Sequence, residues 1–285
     1  MRISLSAFAD EASASVAEQI EALQAERIPY IELRGLDGKN VADLTEQEAE
    51  RYKKQLDEGG IAVWSIGSPL GKTDVREGID AHMQKAEHVF RLAKIFGTQR
   101  VRVFSFFTQA YAQDEQEVLA QLQRMQDLAE KNGVILCHEN EKGIFGDNAA
   151  RCRKILDRVR GMRCIFDPAN FVQCGEDIGH ALDLLEKDVD YYHIKDALYG
   201  GGEVVPAGKG DGMLMRVIAG IQKDVTLTIE PHLTVFAGYA QIDSTELKHK
   251  YTYESARQAF AAAAEACREV LRANGFTEEK NVWKK

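Results

Sequence analysis

The sequence predicts an α/β protein of the closed (β/α)8 TIM barrel class. Three observations point there. Short β-rich segments and amphipathic segments alternate strictly, eight of each; strand starts between residues 2 and 225 recur about every 32 residues; and 285 residues is the length of eight βα units closed into a ring.

The β-rich segments are 2–8, 30–34, 61–67, 100–106, 134–139, 163–167, 190–195 and 225–230, each five to seven residues long and rich in Val, Ile, Phe or Tyr. Between them lie helical patterns. Residues 13–27 carry Val16, Ile20 and Leu23 at helical spacing. Thr45 and Glu48 have the spacing of a capping box that opens the second helix. Helices are then expected over 76–96, ending at Gly97, and over 114–132, ending at Gly133, each with a glycine C-cap. The remaining four are 148–159, 177–185, 212–221 and 253–273. A doubly wound open sheet is the rival arrangement. It favours a glycine-rich phosphate turn after its first strand, where this chain has Phe8-Ala9-Asp10-Glu11. No linker rich in Pro, Gly or Ser divides the chain, so residues 1–285 read as one domain.

Composition excludes several classes of function. Lys and Arg number 36 against 45 Asp and Glu, a net charge of −9, which argues against nonspecific nucleic-acid binding. No run of about 18 apolar residues is present, so no transmembrane helix is expected. The opening MRISLSAFADEAS has one basic residue and an acidic pair by position 11, unlike a secretory leader. Five Cys, odd in number and without a CxxC, fit a reducing, cytoplasmic setting rather than a disulfide framework.

A barrel of this class keeps its chemistry at the C-terminal ends of its strands. There, strand five ends in His138-Glu139, strand six in Asp167, strand seven carries His193-Ile194-Lys195-Asp196, and strand eight ends in Glu230. One such carboxylate, taken alone, is as well read as a cap on the next helix or a group meeting solvent. Four neighbouring strands repeating the pattern are harder to read that way, because an isolated buried carboxylate costs several kcal/mol unless paired or metal-bound. Glu139, Asp167, His193 and Glu230 make a set of three carboxylates and one imidazole, suited to one divalent cation: Mn²⁺ first, then Mg²⁺, Co²⁺ or Zn²⁺.

The segments AFADEAS, YIELRGLDGKNV, VWSIGSPLGK, CHENEKGIFGDN, FDPANFVQCGE, HIKDA, VPAGKGDG and TIEPHL span most of the chain. Through them it resembles the sugar phosphate isomerase/epimerase family, the xylose isomerase-like TIM barrels. The resemblance implies one divalent metal held by a strand-five Glu, a strand-six Asp, a strand-seven His and a strand-eight Glu. These fall on Glu139, Asp167, His193 and Glu230. It further implies that Glu139 and Glu230 act as the acid/base pair. Two positions depart from the ketose 3-epimerase pattern. Asn170 stands where a D-x-x-H motif has its His, which would contact substrate, and Tyr191 stands where an H-x-H motif has its first His.

Other residues carry two readings each. Glu32 and Arg34 share a strand face and suit either substrate contacts or an internal ion pair. Lys195 shares the face of His193 and suits an enolate or an anionic group, whereas Asp196 reads as structural. Glu203 and the VPAGKGDG segment suit closure over substrate, with Gly208, Lys209 and Gly210 either a phosphate cradle or a plain turn. His138 points away from the face of Glu139 and is expected to pack against helices. Cys137, Trp64 and Phe106 read as packing residues, and His232 as a support to the site.

The expected activity is metal-dependent isomerisation or epimerisation of a sugar, sugar phosphate or sugar acid through an enediolate. A dehydratase or lyase on the same barrel is the alternative, with an apurinic endonuclease-like phosphodiesterase and a non-catalytic sugar-binding protein more remote. The expected partner is a small carbohydrate, with no nucleic acid and no membrane. The long connection 231–252, with Leu233, Val235, Phe236 and Tyr239, suits a lid or a homo-oligomer contact.

Overall fold

The computed structural model describes residues 1–235 and 251–285. The expected lid or subunit contact falls largely on 236–250, outside the described residues. On the described side of it, Leu233 is buried and Val235 is exposed.

The eight expected strands form, in chain order: β1 (Arg2–Ala7), β2 (Tyr30–Leu33), β3 (Ala62–Ile66), β4 (Arg100–Val103), β5 (Ile135–Glu139), β6 (Arg163–Phe166), β7 (Val189–Ile194) and β8 (Val225–Ile229). Each pairs in parallel with the next, and β8 pairs with β1 from Ile3↔Val225 to Ala7↔Ile229, which closes the ring. Closure brings the C-terminal ends of β5 to β8 round beside that of β1.

The crossovers are α1 (Val16–Ala25), α2 (Glu46–Glu58), α3 (Ile79–Phe96), α4 (Tyr111–Asn132), α5 (Ala149–Arg158), α6 (Pro168–Gln173), α7 (Ile178–Leu185), α8 (Leu214–Gly220) and α9 (Ala256–Ala273). The Thr45–Glu48 capping box opens α2, and Gly97 and Gly133 end α3 and α4 in the left-handed conformation. The short helix α6 is an addition to the expected pattern. Asp167 caps it and Pro168 stands at its first turn, a strong start signal that is easily overlooked directly after a strand. A second addition is the hairpin β9 (Thr277–Glu279) and β10 (Val282–Lys284), which pairs antiparallel with Arg2–Ser4 of β1.

Alternation along the strands creates two cores. The larger lies between sheet and helices. The smaller fills the barrel interior with Cys137, Ile165 and Tyr191, flanked by Trp64 and Ile135, as a packing role for Cys137 and Trp64 requires. Above that plug the lumen-facing residues turn polar. No helix among the described residues is long and apolar enough to cross a membrane.

Candidate metal centre

Glu139 ends β5, Asp167 follows β6, His193 lies in β7 and Glu230 follows β8. Each offers one ligand atom, and these atoms all lie within 4.8 Å of one another. All four side chains are buried. Nδ1 of His193 faces the group, 2.9 Å from Glu139 Oε1, 3.6 Å from Glu230 Oε2 and 4.0 Å from Asp167 Oδ2. On the other side of the ring, Nε2 lies 3.3 Å from Glu32 Oε2.

Asp167 does cap the next helix, one of the readings open to a strand-end carboxylate. Its Oδ1 accepts from the Asn170 backbone N–H at 2.9 Å and caps α6. Its Oδ2 is buried and receives no hydrogen bond; Lys195 Nζ lies 3.1 Å away as an ion-pair partner. The same ammonium is 3.0 Å from Glu230 Oε2. A buried carboxylate oxygen left without a hydrogen bond, in a group of oxygen and imidazole donors, fits a hard or borderline divalent cation. This cluster of acidic groups and histidine can hold a metal ion.

Charge balance agrees. Asp10, Glu11, Glu32, Glu139, Asp167 and Glu230 are buried around the mouth, against the fixed cations Arg34, Arg102 and Lys195. Such an excess of buried negative charge is costly without further positive charge. Burial lifts the Asp167 carboxyl to about 7, with the Glu230 and Glu139 charges reinforcing it against Lys195. Burial would also lift Glu139, but the His193 and Arg102 charges outweigh it and hold it at about 2. Burial would lower His193, yet the Glu139 and Glu32 carboxylates carry it up to about 10. Without a metal, a proton on the imidazole supplies part of the missing charge.

Around this group stand several of the expected residues, with changed partners. Arg34 donates to both oxygens of Asp10, to Glu11 at 2.9 Å and to Glu230 at 3.2 Å. Glu32 is engaged by His193 and by the Tyr191 hydroxyl. Glu32, expected as either a substrate contact or half of an internal pair, thus has chain partners at both of its oxygens. Asn170 Nδ2 donates to Glu139 Oε1 at 3.3 Å and to the Asn140 carbonyl at 2.8 Å, so it steadies a candidate ligand. Glu203 is not part of this contact network. It sits half-buried on the loop after β7, its carboxylate beside Gly201.

The glycine-rich turn is no open phosphate cradle. Its Gly208, Gly210 and Gly212 amides donate to the Asp196 carboxylate at 2.9, 3.0 and 2.9 Å. An anion-binding nest is there, and the chain fills it with its own carboxylate. His138 turns away from the site and bonds Ser105 Oγ at 3.0 Å. His232 pairs with Glu11 at 3.0 Å, near Glu230, as a supporting residue.

Three participants escaped the sequence reading. Arg102 donates to Glu139 Oε2 at 3.1 Å and to the Gly67 carbonyl at 3.1 Å. Its alternation with the outward-facing Val101 and Val103 was the available signal. Asp10 and Glu11 lie in a turn of 3-10 helix directly after β1, at the same end of the barrel as the four candidate ligands. Their place in an acidic pair after a strand was visible, but not their pairing with Arg34.

The fold and site thus define a parallel (β/α)8 barrel with a carboxylate-rich candidate metal centre at the C-terminal mouth. The family profile described as xylose isomerase-like TIM barrel matches residues 21–237, and the chain belongs to that family. No curated protein sequence matches it. Among solved structures it is similar to the probable 3-DHS dehydratase AsbF of Bacillus anthracis, 16% identical, with a TM-score of 0.70 over 94% of this chain and 99% of that one. It is similar to a D-psicose 3-epimerase crystallised in the presence of D-fructose, 14% identical, with a TM-score of 0.72 over 95% and 99%. It is also similar to the IOLI protein with a bound zinc atom, 16% identical, with a TM-score of 0.71 over 96% and 99%. At such identities the likeness is one of fold.

Proposed function

We propose that this protein is a divalent-metal-dependent isomerase or epimerase of a small carbohydrate, working by proton transfer at the carbon next to a carbonyl. The observation that carries this reading is the pair Glu139 and Glu230, set 2.9 and 3.6 Å from the same His193 nitrogen, with Asp167 completing the group. Glu139, Asp167, His193 and Glu230 would hold the cation, Mn²⁺ first, which when bound supplies Lewis-acid stabilisation of charge developing on substrate oxygens. The rest falls to the chain. Glu139 and Glu230 take a proton from the substrate carbon and return one. Arg102 and Asn170 fix the orientation of Glu139, while Arg34 and Lys195 fix that of Glu230. The filled nest at Asp196 supports a substrate without a phosphate at that loop.

The test is deuterium uptake at the substrate α-carbon in D₂O with Mn²⁺, over a panel of ketoses, aldoses and sugar acids. Exchange that is lost in Glu139→Gln and Glu230→Gln supports the reading. No exchange with any member of the panel, or full exchange in both variants, overturns it. A second reading, a dehydratase or lyase, is favoured by the Lys195 ammonium beside Glu230, a proton donor available to a departing hydroxyl. Product mass separates the two, since isomerisation leaves it unchanged.

A further inference from the structure

We infer that Glu32, tied down by Tyr191, is a positioning residue that selects the tautomer of His193 and so sets the affinity of the site for its metal. The inference rests on the metal-centre reading above. A neutral imidazole carries one N–H and one lone pair, and a metal takes the lone pair. In this barrel the two nitrogens of His193 face opposite neighbours. Nδ1 faces Glu139, Glu230 and Asp167, while Nε2 faces Glu32 at 3.3 Å. Glu32 does not belong to the ligand group. In the metal-free site Nδ1 also lies against a carboxylate, Glu139; once a cation takes the place of that Nδ1 proton, Glu32, which as a carboxylate only accepts, would keep the remaining ring proton on Nε2 and leave the Nδ1 lone pair to the metal.

Glu32 is itself held. The Tyr191 hydroxyl donates to Glu32 Oε1 at 2.8 Å and lies 3.1 Å from Ser65 Oγ. Ser65, Tyr191, Glu32 and His193 are all buried, and they come from three strands, β2, β3 and β7. Period-two alternation puts Tyr191 and His193 on one face of β7, one layer apart. The tyrosine ring therefore fills the interior plug while its hydroxyl reaches Glu32. Phe8 closes the remaining side of the imidazole, edge-on, with ring centroids 5.3 Å apart. The ring is left with one orientation.

The experiment titrates MnCl₂ into metal-stripped protein by calorimetry, for the wild type, Glu32→Gln and Tyr191→Phe. In parallel it reads the His193 tautomer by ¹⁵N NMR of the Zn²⁺-loaded protein. Loss of the supporting carboxylate is expected to weaken Mn²⁺ binding about 10- to 100-fold in Glu32→Gln. Loss of one hydrogen bond to that carboxylate is expected to weaken it roughly two- to tenfold in Tyr191→Phe. The wild-type ring is expected to carry its proton on Nε2. Both variants binding Mn²⁺ like the wild type, or a wild-type ring protonated on Nδ1, overturns the inference while the metal-centre reading stands. A wild type that binds no divalent cation overturns both. A purely structural role for Glu32 would lower the melting temperature of the metal-free variants and leave their Mn²⁺ affinity unmoved, which also counts against the inference.

Discussion

Lys195 and Glu230, at the ends of adjacent strands, form a buried ion pair of 3.0 Å inside the candidate metal centre. The same ammonium lies 3.1 Å from Asp167 Oδ2. Lys195 thus neutralises two of the oxygens a divalent cation would use. It is expected to act as the resident counter-ion of the metal-free site and to compete with metal for it. In Lys195→Met the metal-free protein should lose stability, on the order of 3 kcal/mol for a broken buried pair. Its Mn²⁺ affinity should rise. Thermal melts in EDTA and in MnCl₂ read both effects: the gap between the two melting temperatures should widen in the variant. A gap equal to that of the wild type would retire this role.

Asp196 tests the closed nest. Its carboxylate accepts from the amides of Ala197, Gly208, Gly210 and Gly212. Asp196→Ala leaves these donors without their acceptor, at an expected cost of about 3 kcal/mol. It also opens an anion site in place of the lost carboxylate. Inorganic phosphate should therefore raise the melting temperature of Asp196→Ala and leave the wild type unmoved. If phosphate stabilises both equally, the nest is not what it binds.

Much of the barrel was legible because its signals are local. Each strand is a short apolar run, and each of α3 and α4 stops at a glycine in the left-handed conformation that favours it. The four candidate ligands were legible because strand ends converge in a closed barrel, whatever lies between them. Partnerships across the mouth were not. Arg102 meets Glu139 across 37 positions, and Glu11 meets His232 across 221, so neither pairing leaves a trace in spacing. Glu32 and Arg34 were expected to share a strand face, yet their partners come from β7 and from the segments that follow β1 and β8, and could not be read from β2. The C-terminal hairpin was hidden by its chemistry. Its turn places Lys280 and Asn281 at positive φ without a glycine, and its strands are short and largely polar.

Gly71 is where the loop after β3 meets the one after β4. Its φ is +86°, and a Cβ there would lie 2.0 Å from the Phe104 carbonyl oxygen. That neighbour is backbone, itself pinned by bonds from Phe104 N–H to Leu70 and from Phe106 N–H to Gly71. Gly71→Ala should cost about 3 kcal/mol or more, since both strain and overlap must be relieved. Gly38 is the control. Its φ is also positive, at +76°, but nothing lies within 4 Å of its added Cβ. Gly38→Ala should cost only about 1 kcal/mol, the price of the backbone conformation alone. Urea unfolding of the two variants compares them; equal losses would refute the close approach at Gly71.

His82 makes that same loop sensitive to pH. Its Nε2 accepts a hydrogen bond from the Gly71 N–H at 2.9 Å, so the neutral ring is the bonded form. Burial, with help from the Lys85 charge, pushes its pKa down to about 4 from 6.5. The unfolded chain therefore binds more protons than the folded one between those two values. The stability owed to neutral His82 is complete above the unfolded value and is lost as pH falls through 6.5 towards 4. At about pH 5 the loss amounts to roughly 2 kcal/mol relative to neutral pH. Other groups titrate over the same range, so the measurement is a difference between proteins. Gln does not titrate, and its side-chain oxygen can still accept from Gly71. His82→Gln should accordingly lose about 2 kcal/mol less than the wild type between about pH 7.5 and pH 5, read by urea unfolding at each pH. Parallel pH profiles for the two proteins would show that His82 does not carry the effect.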